Sequence, residues 1–277
     1  MESDCESDLD SLFDEIPDEP VPHSVQEDGL NEYEIARITA PSIPGLYFNP
    51  TFSLPLEYTD YLFQQCLQTY FGNNNVNQVM LFERVSHDPE ENGIAKEASF
   101  VNSKLPTFLA ELLITLSASL RPHIPDPIHA LLFPSAEAPP KARQVIINHY
   151  RPGEGITHHV DLLDRFGDGI IGISLGGSCV MRFRKLNPKE VGLRSGYHQK
   201  DEQNGGEAEN VYLPAGSVYV MSGEARYGWT HGIERRKADC VQDSPDDEGG
   251  RWIERSVRVS ITFRWLLPGA DIVGENS

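Results

Sequence analysis

After Pro55, the apolar residues Tyr58, Leu62, Phe63, Cys66, Leu67 and Tyr70 recur at helical spacing, and Gly72 followed by three asparagines ends the run. This spacing predicts an amphipathic helix. A second run follows Pro106, with Phe108, Leu109, Leu112, Leu113, Leu116 and Leu120 on one face and Pro122 closing it. Beyond residue 140 the period falls to two. Gln144–Tyr150 is β-branched and extended, Gly169–Ser174 and Ser178–Arg184 flank a Leu-Gly-Gly turn, and Val211–Met221 is broken by Pro-Ala-Gly before Ser217. Arg258–Trp265 is the last strong strand. The pattern predicts an α+β, mainly β chain. Its strands over 140–267 form a barrel or jelly-roll core, with the helices of 45–135 packed outside it.

Charge changes this picture mainly at the N-terminus. The 277 residues carry a formal net charge of −19, which at first argues against a polyanion as partner. Residues 1–36, however, hold 13 of the 42 acids and no Lys or Arg. Asp201–Glu209 adds four acids and Asp239–Glu248 five, again without a base. The remainder is slightly basic, at about +3, so a nucleic-acid substrate stays open. Residues 1–36 have too few large apolar side chains for their charge and are expected to form a disordered acidic tail before a single domain over 37–277. Leu9, Leu12, Phe13 and Ile16 could dock one face of a short helix on a protein partner; a plain solvated tail is the alternative.

No apolar run reaches membrane-spanning length and the N-terminus is acidic, so no membrane association is expected. The chain should be intracellular, in the nucleus and/or cytoplasm, and a monomer. Cys5, Cys66, Cys179 and Cys240 form no C-x-x-C pair, which gives no zinc or disulfide signature. Cys66 and Cys179 read as small buried apolar residues.

The candidate chemistry begins at Ile156-Thr157-His158-His159-Val160-Asp161. His159 and Asp161 are two apart, so on a strand they project from one face. A third ligand must come from another strand, and His231 in Tyr227-Gly-Trp-Thr-His-Gly-Ile233 is the best candidate. Two imidazoles and one carboxylate would leave open positions suited to non-haem Fe(II) and O2 chemistry. His158 falls on the opposite face, and His149 and His198 read as structural or surface residues. On the last strand Arg258, Ser260, Thr262 and Arg264 alternate with Val259, Ile261 and Phe263. Two guanidiniums on an inward face need partners: either a small dicarboxylate ligand or carboxylates of the protein itself. Asn148 and Tyr150, again two apart, add an amide and a phenol just upstream of the metal pair.

Taken in order, Asn148-x-Tyr150-x-Pro152-Gly153-x-x-Ile156-x-x-His159-x-Asp161, Ile173-Ser-Leu-Gly176, Ser222-Gly-Glu-x-Arg226, His231-Gly-Ile233 and Arg258-x-Ser-x-Thr-Phe-Arg264 resemble the AlkB family of Fe(II)- and 2-oxoglutarate-dependent dioxygenases. The resemblance is close over 140–267, loose over 45–135 and absent in the tail. It implies a double-stranded β-helix with Fe(II) on His159, Asp161 and His231. It further implies that Arg258, with Tyr150 and Ser260, holds the distal carboxylate of 2-oxoglutarate, and that Arg264 and Asn148 lie near its keto-acid end. Many relatives have Asn where this chain has Ser260, and Ser reaches less far. Trp229 is read either as a wall of the site or as a packed aromatic.

The activity so implied consumes O2 and 2-oxoglutarate to hydroxylate a substrate C–H bond, or to demethylate when that carbon is an N-methyl. Several base-repair relatives carry an acid two positions after the metal Asp to meet a cationic methylated base; here that residue is Leu163, with Asp164 one further on. Arg226-Tyr-x-Trp-Thr-His-Gly-Ile233, followed by Arg236-Lys237, is most similar to the homologues that hydroxylate a modified tRNA wobble uridine. The RNA-recognition and methyltransferase modules that accompany that domain in animals are not read in these residues. The segment Asn77–Ala98 takes the place of the relatives' substrate loops, with Phe82, Arg84 and His87 as lid contacts. A modified base in RNA or DNA is thus the leading substrate, with a basic rim expected from Arg143, Arg151, Arg182, Arg184, Arg235, Arg236 and Lys237. Oxidation of a protein side chain is the alternative, and a non-catalytic scaffold recruited through its tail is a third possibility.

Overall fold

The computed structural model describes residues 35–72, 76–83, 105–135, 137–139, 141–187, 207–244 and 249–270. Residues 1–34, Arg84, His87, His198 and most of the Asp201–Glu209 patch lie outside the described residues.

Among the described residues, twelve strands and four α-helices follow in the order β1 (Leu46–Ser53), α1 (Leu56–Cys66), β2 (Gln78–Glu83), α2 (Thr107–Leu120), α3 (Asp126–Leu132), β3 (Arg143–Tyr150), β4 (Ile156–His159), β5 (Phe166–Gly176), β6 (Cys179–Lys185), β7 (Ala208–Leu213), β8 (Ser217–Met221), α4 (Glu224–Tyr227), β9 (Trp229–Ile233), β10 (Ala238–Gln242), β11 (Gly250–Glu254) and β12 (Arg258–Leu266). One π-helical turn, Leu67–Phe71, extends α1. A six-stranded sheet has the order β1-β8-β5-β12-β3-β2, and a four-stranded sheet the order β4-β9-β6-β7. From β3 onwards the chain passes back and forth between these sheets, which gives a double-stranded β-helix.

Alternation along β12 builds both faces of the larger sheet. Val259, Ile261 and Phe263 join Val145, Ile147, Ile173 and Leu175 on the outer face, where Leu62, Leu109, Leu112, Leu113 and Leu116 of α1 and α2 cover them. Arg258, Ser260, Thr262 and Arg264 take the inner face. A second cluster, including Ile170, Met181, Phe183, Tyr219, Met221, Trp229 and Ile233, fills part of the space between the sheets.

Three details depart from the pattern-based expectation. Ala36, assigned to the tail, is fully buried; its N–H donates to the Cys240 carbonyl at 2.9 Å and its carbonyl accepts from Gln242 N–H at 3.0 Å. Residues 77–83, expected as part of a substrate loop, instead continue the larger sheet as edge strand β2, because Gln78–Glu83 pair in register with Asn148–Arg143. Asp239, counted in an acidic patch, is buried and ion-paired with Arg236 and Arg255, both at 2.7 Å.

Candidate active site

The register of the strands places the polar inner-face residues in rows. Arg258 sits opposite Tyr150, Ser260 is flanked by Asn148 and Ser174, and Thr262 is flanked by Ile146 and Gly172. Arg264 lies between Gln144 and Ile170. Across from these rows, β4 and β9 bring His159 and His231 into register. The gap between the sheets is a pocket, partly open to solvent, lined by residues of both.

His159, Asp161 and His231 converge there, each offering a ligand atom, and these atoms all lie within 4.8 Å of one another. The His159 and His231 ring centroids are 4.5 Å apart, and His231 Nε2 is 3.7 Å from Asp161 Oδ2. His159 Nδ1 is 2.8 Å from the Thr157 carbonyl, which can only accept; Nδ1 therefore carries the proton and Nε2 is left as the ligand atom. Burial alone would raise the pKa of Asp161. The Arg264 guanidinium, then His231, His159 and Arg226, overcome it and hold the carboxyl well below the usual range. Burial and the neighbouring His159 push His231 down to about 3, so its imidazole is neutral and able to ligate.

Arg264 donates through Nη1 to Asp161 Oδ1 and through Nε to Gln144 Oε1 at 2.7 Å, and its guanidinium lies 3.8 Å from the Phe166 ring centroid. Burial lowers its pKa, which Asp161 partly restores. Arg258 is placed differently. Its Nε donates to Ser174 Oγ at 2.8 Å and the Tyr150 ring lies 5.2 Å away, yet no carboxylate pairs with it among the described residues. Its Nη1 is buried without a hydrogen-bond partner among those residues. Burial opposes the Arg258 charge, but Cys179, Tyr150 and Tyr219 and a hydrogen bond with Tyr150 outweigh it and raise its pKa. A buried cation lacking an acid, lined by phenol and hydroxyl groups, suits one end of a small dicarboxylate. The two-histidine, one-carboxylate donor set likewise suits Fe(II).

Every candidate ligand predicted from sequence therefore lies in this pocket: His159, Asp161, His231, Asn148, Tyr150, Arg258, Ser260 and Arg264 all line it. Asn148 accepts a hydrogen bond from Gln78 Nε2 at 2.9 Å. Gln78, Gln144 and Tyr219 complete the surroundings and were not singled out in the sequence; Ser174 was quoted only within a motif. Gln78, Gln144 and Ser174 meet site residues 70, 120 and 84 positions away, and Tyr219 sits singly among apolar neighbours. Arg226, quoted only as part of a motif, contacts the Asp161 carbonyl at 3.1 Å.

Other expectations resolve as follows. Trp229 is a packed aromatic, with Nε1 donating to Glu224 Oε1 at 3.3 Å. His158 is buried on the opposite face, against Gly232. His149 stacks on Phe71 at 5.1 Å. The basic rim is weaker than expected. Arg143 is buried under Trp265, 4.1 Å from its ring centroid, and 3.6 Å from Glu83. Arg182 and Arg236 are ion-paired with Glu234 and Asp239, whereas Arg151, Arg235 and Lys237 are exposed.

The sequence matches the family model of the 2OG-Fe(II) oxygenase superfamily over residues 58–264. It is 37% identical over 127 residues to the uncharacterized protein L905 of Acanthamoeba polyphaga mimivirus, covering 46% of this chain and 50% of that protein. It is 32% identical over 207 residues to the mouse tRNA (carboxymethyluridine(34)-5-O)-methyltransferase ALKBH8, covering 70% of this chain and 26% of that protein. With the N6-methyladenosine RNA demethylase ALKBH of Cryphonectria parasitica it shares 32% identity over 114 residues, covering 39% of this chain and 48% of that protein. The chain thus spans half or less of the length of these curated relatives.

Proposed function

The chain belongs to the 2OG-Fe(II) oxygenase superfamily and, within it, to the AlkB family of 2-oxoglutarate-dependent dioxygenases, and from that premise we propose that it hydroxylates or oxidatively demethylates a modified base in nucleic acid. The same reading assigns Fe(II) to His159, Asp161 and His231. It assigns the distal carboxylate of 2-oxoglutarate to Arg258 with Tyr150 and Ser260, and the keto-acid end to Arg264 and Asn148. When bound, Fe(II), 2-oxoglutarate and O2 supply oxidative decarboxylation of the keto acid to succinate and CO2, coupled to hydroxylation of a substrate C–H bond.

The chain's own residues provide the setting. The Thr157 carbonyl fixes the His159 tautomer, and Arg264, itself held by Gln144, fixes the Asp161 carboxylate. Arg258 offers its unpaired Nη1 to an anionic group. Ile146, Ile156, Ile170, Met181, Met221 and Ile233 give the pocket an apolar lining around the reacting centre.

The observation that carries the reading is the meeting, in one pocket, of the His159–Asp161–His231 cluster and a buried arginine with no carboxylate of its own. The mouse and Cryphonectria relatives, named for activity on tRNA and on RNA, favour nucleic acid as substrate. Leu163, two positions after Asp161, brings no acid to meet a cationic base, which favours a neutral one.

The test is incubation of the full chain with Fe(II), 2-oxoglutarate and O2 and a panel of modified nucleosides in RNA and DNA oligonucleotides, read by mass. The expected result is one added oxygen or one lost methylene on a neutral modified base, absent with His159→Ala. A mass change found on protein and on no oligonucleotide would refute the substrate assignment.

A further inference from the structure

We propose that Arg226 is a positioning residue that clamps the backbone of the loop Asp161–Phe166, and so ties metal retention to the shape of the substrate mouth. This rests on the reading that Asp161 is a metal ligand, and it extends that reading to a residue and a loop with no role so far.

Arg226 is 2% exposed and lies in α4, a single turn between Gly223 and Gly228. Its guanidinium spans three carbonyls of one loop. Nη1 donates to Asp161 O at 3.1 Å, and Nη2 donates to Leu162 O at 3.4 Å and Phe166 O at 3.3 Å. Nε has no hydrogen-bond partner, and no carboxylate pairs with Arg226, among the described residues. A buried cation engaged by carbonyl oxygens and, 4.9 Å away, the Tyr227 ring, with no carboxylate paired to it among the described residues, is a poor source of stability. What it supplies is geometry, because a rigid planar fork holds donors on separate nitrogens at fixed spacing, whereas an ammonium carries its three donors on one freely rotating nitrogen.

The clamped loop leads from the metal ligand towards β2, whose Gln78 and Met80 pair with the pocket-lining Asn148 and Ile146. Leu162 O also accepts from Phe166 N–H at 3.0 Å, closing the loop on itself. Leu162 and Phe82 of β2 both pack against the cluster of Ala142, Phe166 and Leu266, and the Arg165 guanidinium lies 6.0 Å from the Phe82 ring centroid. Two positions along from Phe82, and so on the same strand face, Met80 is 41% exposed. One guanidinium thus sets the backbone of Asp161 at one end of the loop and the wall against β2 at the other.

The test compares the full-length wild type with Arg226→Lys and Arg226→Gln. Three quantities are read: Mn(II) affinity from the electron paramagnetic resonance of free Mn(II), the ratio of succinate formed to substrate oxidised, and the KM for 2-oxoglutarate. Arg226→Lys keeps the charge and loses the bridging. It is expected to weaken Mn(II) binding roughly 10- to 100-fold, and to raise succinate per oxidised substrate, with KM for 2-oxoglutarate within about twofold of wild type because Arg258 is untouched. A folded Arg226→Lys protein with wild-type Mn(II) affinity and coupling overturns the proposal, as does a lowered melting temperature with both quantities unchanged. A wild type that binds no Mn(II) overturns the metal-ligand reading as well, which separates the two failures. A second measurement needs no variant. Amide hydrogen exchange across residues 161–166 of the wild type should slow when Mn(II) binds, and unchanged exchange there counts against the clamp.

Discussion

Arg258 and Arg264 share one strand face yet meet different partners, and the difference decides what each can do. Arg264 is matched by Asp161 and Gln144 inside the protein, so it orients a ligand carboxylate. Arg258 has a hydroxyl and a phenol beside it and no acid among the described residues. Losing a charge-assisted hydrogen bond costs about 1.5–3 kcal/mol. Arg258→Met is therefore expected to raise the KM for 2-oxoglutarate roughly 10- to 100-fold while leaving Mn(II) affinity near wild type. Steady-state kinetics beside metal titration would check both halves. The sequence made these residues legible because alternation on a strand aims every second side chain the same way. It could not reveal Ser174 as the Arg258 Nε partner, since 84 residues separate them and only sheet register joins them.

The buried thiols give a second prediction at this scale. Burial pushes Cys66 up to about 12, and also raises Cys179. Both should resist alkylation at pH 8 in the folded protein and react on unfolding, as peptide mass spectrometry can show. The folded pKa of Cys66 exceeds its unfolded value of 9.0, so the linked stability is present below pH 9 and falls as pH rises towards 12.

Among the elements, β12 organises the site, since it pairs with both β3 and β5 and divides helix-covered core from polar pocket. Its alternation of charged and branched apolar residues made it the plainest strand to read. β2 was obscure for a physical reason: Gln78–Glu83 is mostly apolar on both faces, one set meeting the core and the other the pocket side, so no alternation marks it. β10 and β11 were missed because Asp239 is buried by ion pairs that sequence spacing does not disclose.

The two-faced sheet predicts separable effects. Leu112→Ala on the helix layer should cost about 2–5 kcal/mol of stability, read as a lower melting temperature, with the KM for 2-oxoglutarate unchanged. Gly172→Ala acts on the inner face, where an added Cβ would clash with the Tyr219 ring, in the row beside Thr262. Overpacking there should cost about 1–3 kcal/mol and also weaken 2-oxoglutarate, because the Tyr219 ring lines the pocket.

For the whole molecule, charge and chemistry are separated along the chain. Every residue lining the pocket falls between Ile146 and Arg264, whereas 13 of the 42 acids precede residue 37. Deleting residues 1–34 should thus leave Mn(II) and 2-oxoglutarate binding intact. It should also strengthen binding to RNA at low salt, with the gain fading as salt rises. Affinity measured at two ionic strengths checks the sign. Net charge read over the full sequence obscured this division, and only its distribution kept a polyanionic substrate in view.

The central claim is that three protein side chains hold one ferrous ion beside a keto diacid gripped by Arg258. Anaerobic titration of the full chain with Fe(II) in the presence of 2-oxoglutarate tests it most directly, by following the charge-transfer absorption of a chelated keto acid. The account predicts saturation at one Fe(II) per chain, loss of the band with His231→Ala, and a higher 2-oxoglutarate requirement with Arg258→Met. No band in the wild type, or an unaltered band in His231→Ala, would contradict it.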